Sequence, residues 1–312
     1  MDRQVWIDWV KVILMYLVVC GHFLPDCLFK VFIYAFHVPL WFMISGYLNH
    51  MVYNGKRRMR IKRLLVPYLI WTFVSVVFIS ILEKKSTFDV IGCFIPLNGF
   101  TCWNAPLWFL YALFFVEGFF PTIDDICNRY FFTACIAICG IAMIVMDKLL
   151  GGINILAYRQ ILLGWVFFII GQIVHKYNMI ENASRPIVTT IMVLLPIGVL
   201  SALSNGQISI WRWHIKSVFL LCISAISLSV LFILLCKKVC CSSGFLKFVL
   251  PGSMFVFCGH YFVRTPLFLK GLLPDNIFGC LLISFVVYVG MSIAYYFYKF
   301  VLMKAIFMRL KE

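Results

Sequence analysis

The chain has 312 residues, 63% of them hydrophobic and 12% charged, with a mean hydropathy of +1.00. An ordinary soluble domain carries about 25% charged residues and roughly half apolar ones, so this composition excludes a soluble globular enzyme. A formal net charge of +15 in a soluble chain would suggest nucleic acid. Here the basic residues fall in short stretches between apolar runs and read as topology signals, so no nucleic-acid partner is expected.

A helix needs about 20 mainly apolar residues to cross the ~30 Å hydrocarbon core, and about ten windows qualify. They lie near 6–25, 31–50, 64–82, 105–121, 130–147, 154–174, 187–203, 216–236, 248–269 and 277–300. The expected fold is an all-α polytopic membrane protein, a bundle of about ten transmembrane helices, with 1–312 as a single domain. With the N-terminus cytoplasmic, 17 of the 27 Lys and Arg fall on the inner side, 7 on the outer side and 3 within spans. That is the positive-inside pattern, and an even span count returns the C-terminus to the cytoplasm. Asp8 and Lys11 interrupt the first apolar run and no small-residue cleavage site follows, so it reads as a span and not as a cleaved signal.

In the first window Asp8, Lys11 and His22 are ionisable groups inside a span, where such groups usually face a cavity or the bundle interior. Eleven residues at ~100° each return Lys11 and His22 to within about 20° of one helix face, ~16 Å apart along the axis. Packing of an ion pair and a surface-near histidine is the plain alternative. The second window carries His37, as far below the outer surface as His22, so the two can be neighbours and offer a general base. Ser45-Gly46 reads as small-residue helix packing. The inner loop holds the largest basic block, Lys56, Arg57, Arg58, Arg60, Lys62 and Arg63, which orients the chain and contacts anionic lipid.

The longest outer loop, about 83–104, contains Cys93 and Cys102, which can pair if that side is oxidising. The remaining cysteines are scattered through spans and inner loops, and no Cys or His spacing resembles a metal site, so no metal is expected. Further on, Glu117, Arg159, His260 and Arg264 are polar residues within spans. Arg159 and Arg264 sit near the outer boundary, where they either snorkel or grip an anionic acceptor. Trp211 and Trp213 on an outer loop fit an aromatic belt.

Three motifs occur in order in the first third. They are Ile7-Asp8-Trp9-Val10-Lys11 through Val18-Val19-Cys20-Gly21-His22, then Phe36-His37-Val38-Pro39-Leu40-Trp41-Phe42 with Ser45-Gly46-Tyr47, and then Arg60-Ile61-Lys62-Arg63 through Pro67-Tyr68 with Trp71. Pro106-Leu107-Trp108-Phe109-Leu110, Gly164-Trp165 through Gly171, and Ser253-Met254 through Gly259-His260 follow. This run resembles the acyltransferase-3 family of integral membrane acyltransferases. The resemblance implies O-acylation, most often acetylation, of sugars in surface polysaccharides or lipid-linked precursors, in the bacterial inner membrane, with cytoplasmic acetyl-CoA or another acyl-CoA as donor. It maps the family's basic residue and histidine onto Lys11 and His22, and its Arg-x-x-Arg onto Arg60 and Arg63; Lys11 stands where many relatives carry Arg. The roles expected on this basis are His22 as base with His37 beside it, Lys11, Arg60 and Arg63 along the donor, and Arg159, Arg264 and Trp108 at the acceptor. A transporter or flippase for a glycan or lipid-linked sugar is the rival reading, marked by broken helices in matching halves, a symmetry the sequence does not show.

Overall fold

The computed structural model describes residues 4–49, 60–83, 90–97, 99–119, 129–181, 187–238 and 241–309. Lys56, Arg57 and Arg58 of the basic block lie outside the described residues. In lipid every backbone N–H and C=O needs an internal partner, which confines long apolar runs to helices. Each of the ten windows does hold a helix, and no ladder of strands occurs among the described residues. The helices are α1 (Val5–Phe23), α2 (Leu28–Leu48), α3 (Val66–Glu83), α4 (Val90–Phe94), α5 (Leu107–Phe119), α6 (Arg129–Leu149) and α7 (Tyr158–Lys176). They continue with α8 (Ile187–Asn205), α9 (Val218–Lys238), α10 (Gly244–Val249), α11 (Ser253–Leu269) and α12 (Ile277–Arg309). Among the described residues eight segments are long and apolar enough to cross a membrane, and α5 is a shorter apolar helix. Phe278 is 76% and Met192 72% exposed, an outward-facing apolar surface that suits lipid and not water.

The chain forms two compact units, residues 1–33 with 232–312, and residues 34–231. In the first, α1 packs against α11 and α12. Two phenols tie α12 to α1: Tyr288 donates to the Val12 carbonyl at 3.3 Å, and Tyr16 donates to the Leu281 carbonyl at 3.0 Å. Near the start of α1, the Trp9 indole donates to the Cys241 carbonyl at 2.9 Å, just ahead of α10, whose N-cap is Ser243.

In the second unit α7 packs against α5 and α6. A methyl group at Gly46 would overlap the Phe168 carbonyl, and one at Gly171 the Met43 carbonyl. The small residues of the second and later motifs thus let α2 and α7 approach backbone to backbone, which is the packing expected of Ser45-Gly46. A single π-helical turn, Ile61–Leu65, leads into α3 and carries Arg63. Such turns are rare and recur at functional sites.

Candidate functional site

His22 lies in the last turn of α1, half-buried, and three residues of α11 surround it. Its Nδ1 is 3.2 Å from the Tyr261 hydroxyl, with the rings edge to face at 4.9 Å. The His260 ring lies 5.3 Å away. The Arg264 Nε donates to the His22 carbonyl at 2.5 Å. That carbonyl belongs to the negative end of α1, where a cation is favoured both as hydrogen-bond donor and by the helix dipole. The Arg264 guanidinium also lies over the Tyr261 and Phe268 rings, at 5.5 and 5.2 Å. The residue expected to grip an acceptor is therefore engaged in holding the backbone and the phenol beside His22.

His260 is completely buried, and its Nδ1 lies 3.0 Å from the Val256 carbonyl one turn back. A carbonyl only accepts, so Nδ1 carries the proton and Nε2 presents its lone pair. Lys11 sits half-buried three turns before His22 on α1, at the spacing the sequence implies.

In the second unit, Arg63 grips the Glu117 carboxylate of α5 with one nitrogen, 2.6 and 2.5 Å from its two oxygens. The Arg60 Nε is 3.7 Å from the same group. The Glu117 side chain is 6% exposed, whereas that of Arg63 is 49% exposed. A buried carboxylate thus anchors two cations whose combined charge it only half cancels, and about half of the Arg63 side chain stays exposed. The pair expected along a donor is brought together as the motif implies.

The other expected residues have structural partners. Arg159 bonds Asp147 through Nε at 2.7 Å and Nη2 at 2.6 Å, and the Gly152 carbonyl at 2.9 Å, while the Tyr158 hydroxyl reaches the same carboxylate. Arg159 thereby clasps the hairpin between α6 and α7. Trp108 is buried between Phe42, Phe100 and Phe109. His37 is buried on α2, with its ring 5.1 Å from that of Tyr34. Among the described residues no group of three or more His, Cys, Asp or Glu could hold a metal ion.

The sequence model of the acyltransferase-3 family, described as an acyltransferase domain, matches residues 4–303. The chain belongs to the acyltransferase-3 family. No curated protein and no solved structure matches it. The first two motifs of this membrane acyltransferase carry Lys11, His22 and His37, and the third carries Arg60 and Arg63. Sequence reasoning did not pair Glu117 with Arg63, 54 residues upstream, or with Arg60 beside it. A lone acid within an apolar span was the available signal, since buried charges seek partners. Tyr261, next to a buried histidine, carried no such signal.

Proposed function

We propose that this acyltransferase moves an acyl group, acetyl foremost, from cytoplasmic acyl-CoA to a hydroxyl of a surface-polysaccharide sugar or its lipid-linked precursor, with His22 as general base. The observation that carries the reading is the bond between His22 Nδ1 and the Tyr261 hydroxyl, 3.2 Å long. When Nε2 takes the proton of the attacking hydroxyl, the ring becomes an imidazolium and its Nδ1–H donates to the phenol oxygen. The ring keeps its orientation while its charge gains a partner. The sugar oxygen bonds to the thioester carbon, the C–S bond breaks, and the imidazolium returns its proton to the coenzyme A thiolate. His22 ends neutral.

Arg60 and Arg63 would bind the donor's phosphates, held ready by Glu117. Lys11 would add positive charge along the donor's path to His22, which lies ~16 Å further along α1 on the helix rise. We assign Arg264 and Arg159 to the frame of the site, given their bonds to His22 and Asp147. His37 and Trp108 remain the groups proposed to position the acceptor.

The test is transfer of label from [14C]acetyl-CoA, with [14C]succinyl-CoA as second donor, to membrane glycans by the purified protein in nanodiscs. Base-labile label in the glycan fraction is the expected result. No transfer from either donor would overturn the reading.

A further inference from the structure

The loop between α8 and α9 is a hydrogen-bonded hairpin. At its base Asn205 Nδ2 donates to the Ser217 carbonyl, and Ser217 N–H donates to Asn205 Oδ1, both at 2.9 Å. Further along, Ser209 and His214 exchange backbone bonds of 2.9 and 2.8 Å, which close a turn of four residues, Ile210-Trp211-Arg212-Trp213. Inside it Trp213 N–H donates to the Ile210 carbonyl at 3.2 Å, and Arg212 N–H donates to Ser209 Oγ at 3.3 Å. The buried Gln160 amide of α7 donates to the Ile210 and Trp211 carbonyls at 3.0 and 3.1 Å. The turn is thereby fixed to the N-terminal end of α7, which the order of the spans places on the outer side.

The side chains of this turn do not behave as an aromatic belt would. Trp213 has φ +53°, where the Cβ crowds the backbone carbonyl, so that glycine or asparagine is the usual occupant and a bulky aromatic is exceptional. That backbone sets the part-buried indole with its ring centre 5.8 Å from the Arg159 guanidinium, which Asp147 fixes in turn. Trp211 keeps its Nε1 buried and without a hydrogen-bond partner. A belt tryptophan instead gives that N–H to headgroups or water. The exposed Arg212 places its guanidinium 4.9 Å from the Trp211 ring centre. Cations on an outer loop run against the positive-inside pattern, yet Arg212 and Lys216 stand here with no Asp or Glu between 205 and 217. A belt requires neither a strained backbone nor a buried indole N–H, and its arginines need no fixed place.

We infer that the Trp211-Arg212-Trp213 turn is a saccharide-binding site on the outer face, and that its ligand is an acidic sugar chain. The inference deepens the proposed function and rests on it: acidic glycan is the acceptor class, and this turn is where the chain docks. Pyranose C–H bonds carry partial positive charge and stack on the electron-rich face of an indole, the part Trp213 plays. The Arg212 guanidinium, steadied by the Trp211 ring, offers a fork of N–H donors to a carboxylate or phosphate on the same chain. The two contacts select together. A neutral sugar uses the ring and leaves the arginine idle, and a small anion does the reverse. Lys216, whose Nζ donates to the Ser204 carbonyl at 3.3 Å, adds positive charge at the base of the hairpin. Arg159 is matched by Asp147 and serves to back the Trp213 ring.

The experiment measures binding by calorimetry on the full chain in phosphatidylcholine nanodiscs, with no acyl-CoA present. The probes are a galacturonate hexamer and a hyaluronan hexasaccharide, both acidic, and chitohexaose, which is neutral. Saturable binding of an acidic probe, at least about tenfold tighter than chitohexaose, is expected. Arg212→Gln should weaken acidic binding about ten- to a hundredfold and leave chitohexaose unchanged. Trp213→Gly should weaken every probe about tenfold, while the SDS unfolding midpoint holds or rises, because glycine adopts φ +53° freely. Acetyl transfer is read in a separate assay, so a failure of transfer and a failure of saccharide binding are distinguishable. No saturable binding of either acidic probe, or equal affinity in Arg212→Gln and the unaltered protein, would overturn the inference. Quenching of the Trp213 emission by brominated phosphatidylcholine, taken as the difference between the unaltered protein and Trp213→Gly, would also overturn it, since the ring would then sit in lipid as part of a belt.

Discussion

Removing Arg63 should cost more stability than removing its partner, because the two members of the pair are buried unequally. Arg63→Ala leaves the Glu117 carboxylate, with 6% of its side chain exposed, facing only Arg60 at 3.7 Å. Glu117→Gln instead leaves a guanidinium that is 49% exposed and can turn to water. Orphaning one member of a fully buried pair costs about 3–5 kcal/mol. The exposure of Arg63 reduces this, and charged hydrogen bonds set the scale at about 2 kcal/mol for Arg63→Ala and about 1 kcal/mol for Glu117→Gln. The assay is unfolding in graded SDS without donor, on both single variants and the double variant. A coupling of about 1–2 kcal/mol is expected, since the double variant leaves neither charge orphaned. Additive losses, or Glu117→Gln costing more than Arg63→Ala, would refute the reasoning that the carboxylate is the buried anchor.

Acetyl-CoA affinity, measured by calorimetry in nanodiscs, should fall about ten- to a hundredfold in Arg63→Ala and change little in Lys62→Ala, whose side chain is exposed beside it; equal small effects would return the basic block to orientation alone. Tyr261→Phe should lower turnover about tenfold or more with donor affinity unchanged, because the imidazolium loses its Nδ1–H acceptor; unaltered turnover would remove Tyr261 from the proton path. In a cysteine-free background, Thr101→Cys should react with an impermeant maleimide from outside the cell and Arg58→Cys should not, and the reverse would invert the topology.

Most spans were legible because lipid imposes a run length: all ten windows hold helices, and among the described residues eight segments are long and apolar enough to cross a membrane. Ser45-Gly46 was legible for a similar reason: a small residue in a span has few uses besides close packing, and Gly46 does lie against the Phe168 backbone. The Arg60–Arg63 spacing announced a shared helix face, but their partner Glu117 depends on how α5 meets the start of α3, which local pattern does not encode. Tyr261 was hidden in the same way, since 239 residues separate it from His22. Asp147 was closer to reach. A short hairpin between two spans puts the end of one opposite the start of the next, which is how Asp147 meets Arg159 across 12 residues. Two arginines read as candidate acceptor ligands thus turned out to have partners that only the folded chain supplies.

The central claim is that His22 moves the proton while other residues hold the donor. Acetyl-CoA affinity and acetyl transfer to membrane glycans, measured side by side on unaltered protein and His22→Ala in nanodiscs, test it most directly. General-base removal costs about 10² to 10⁴ in rate, so His22→Ala should bind acetyl-CoA within about twofold of the unaltered protein and transfer at most about one part in a hundred as fast. Transfer by His22→Ala at a substantial fraction of the unaltered rate would contradict the account.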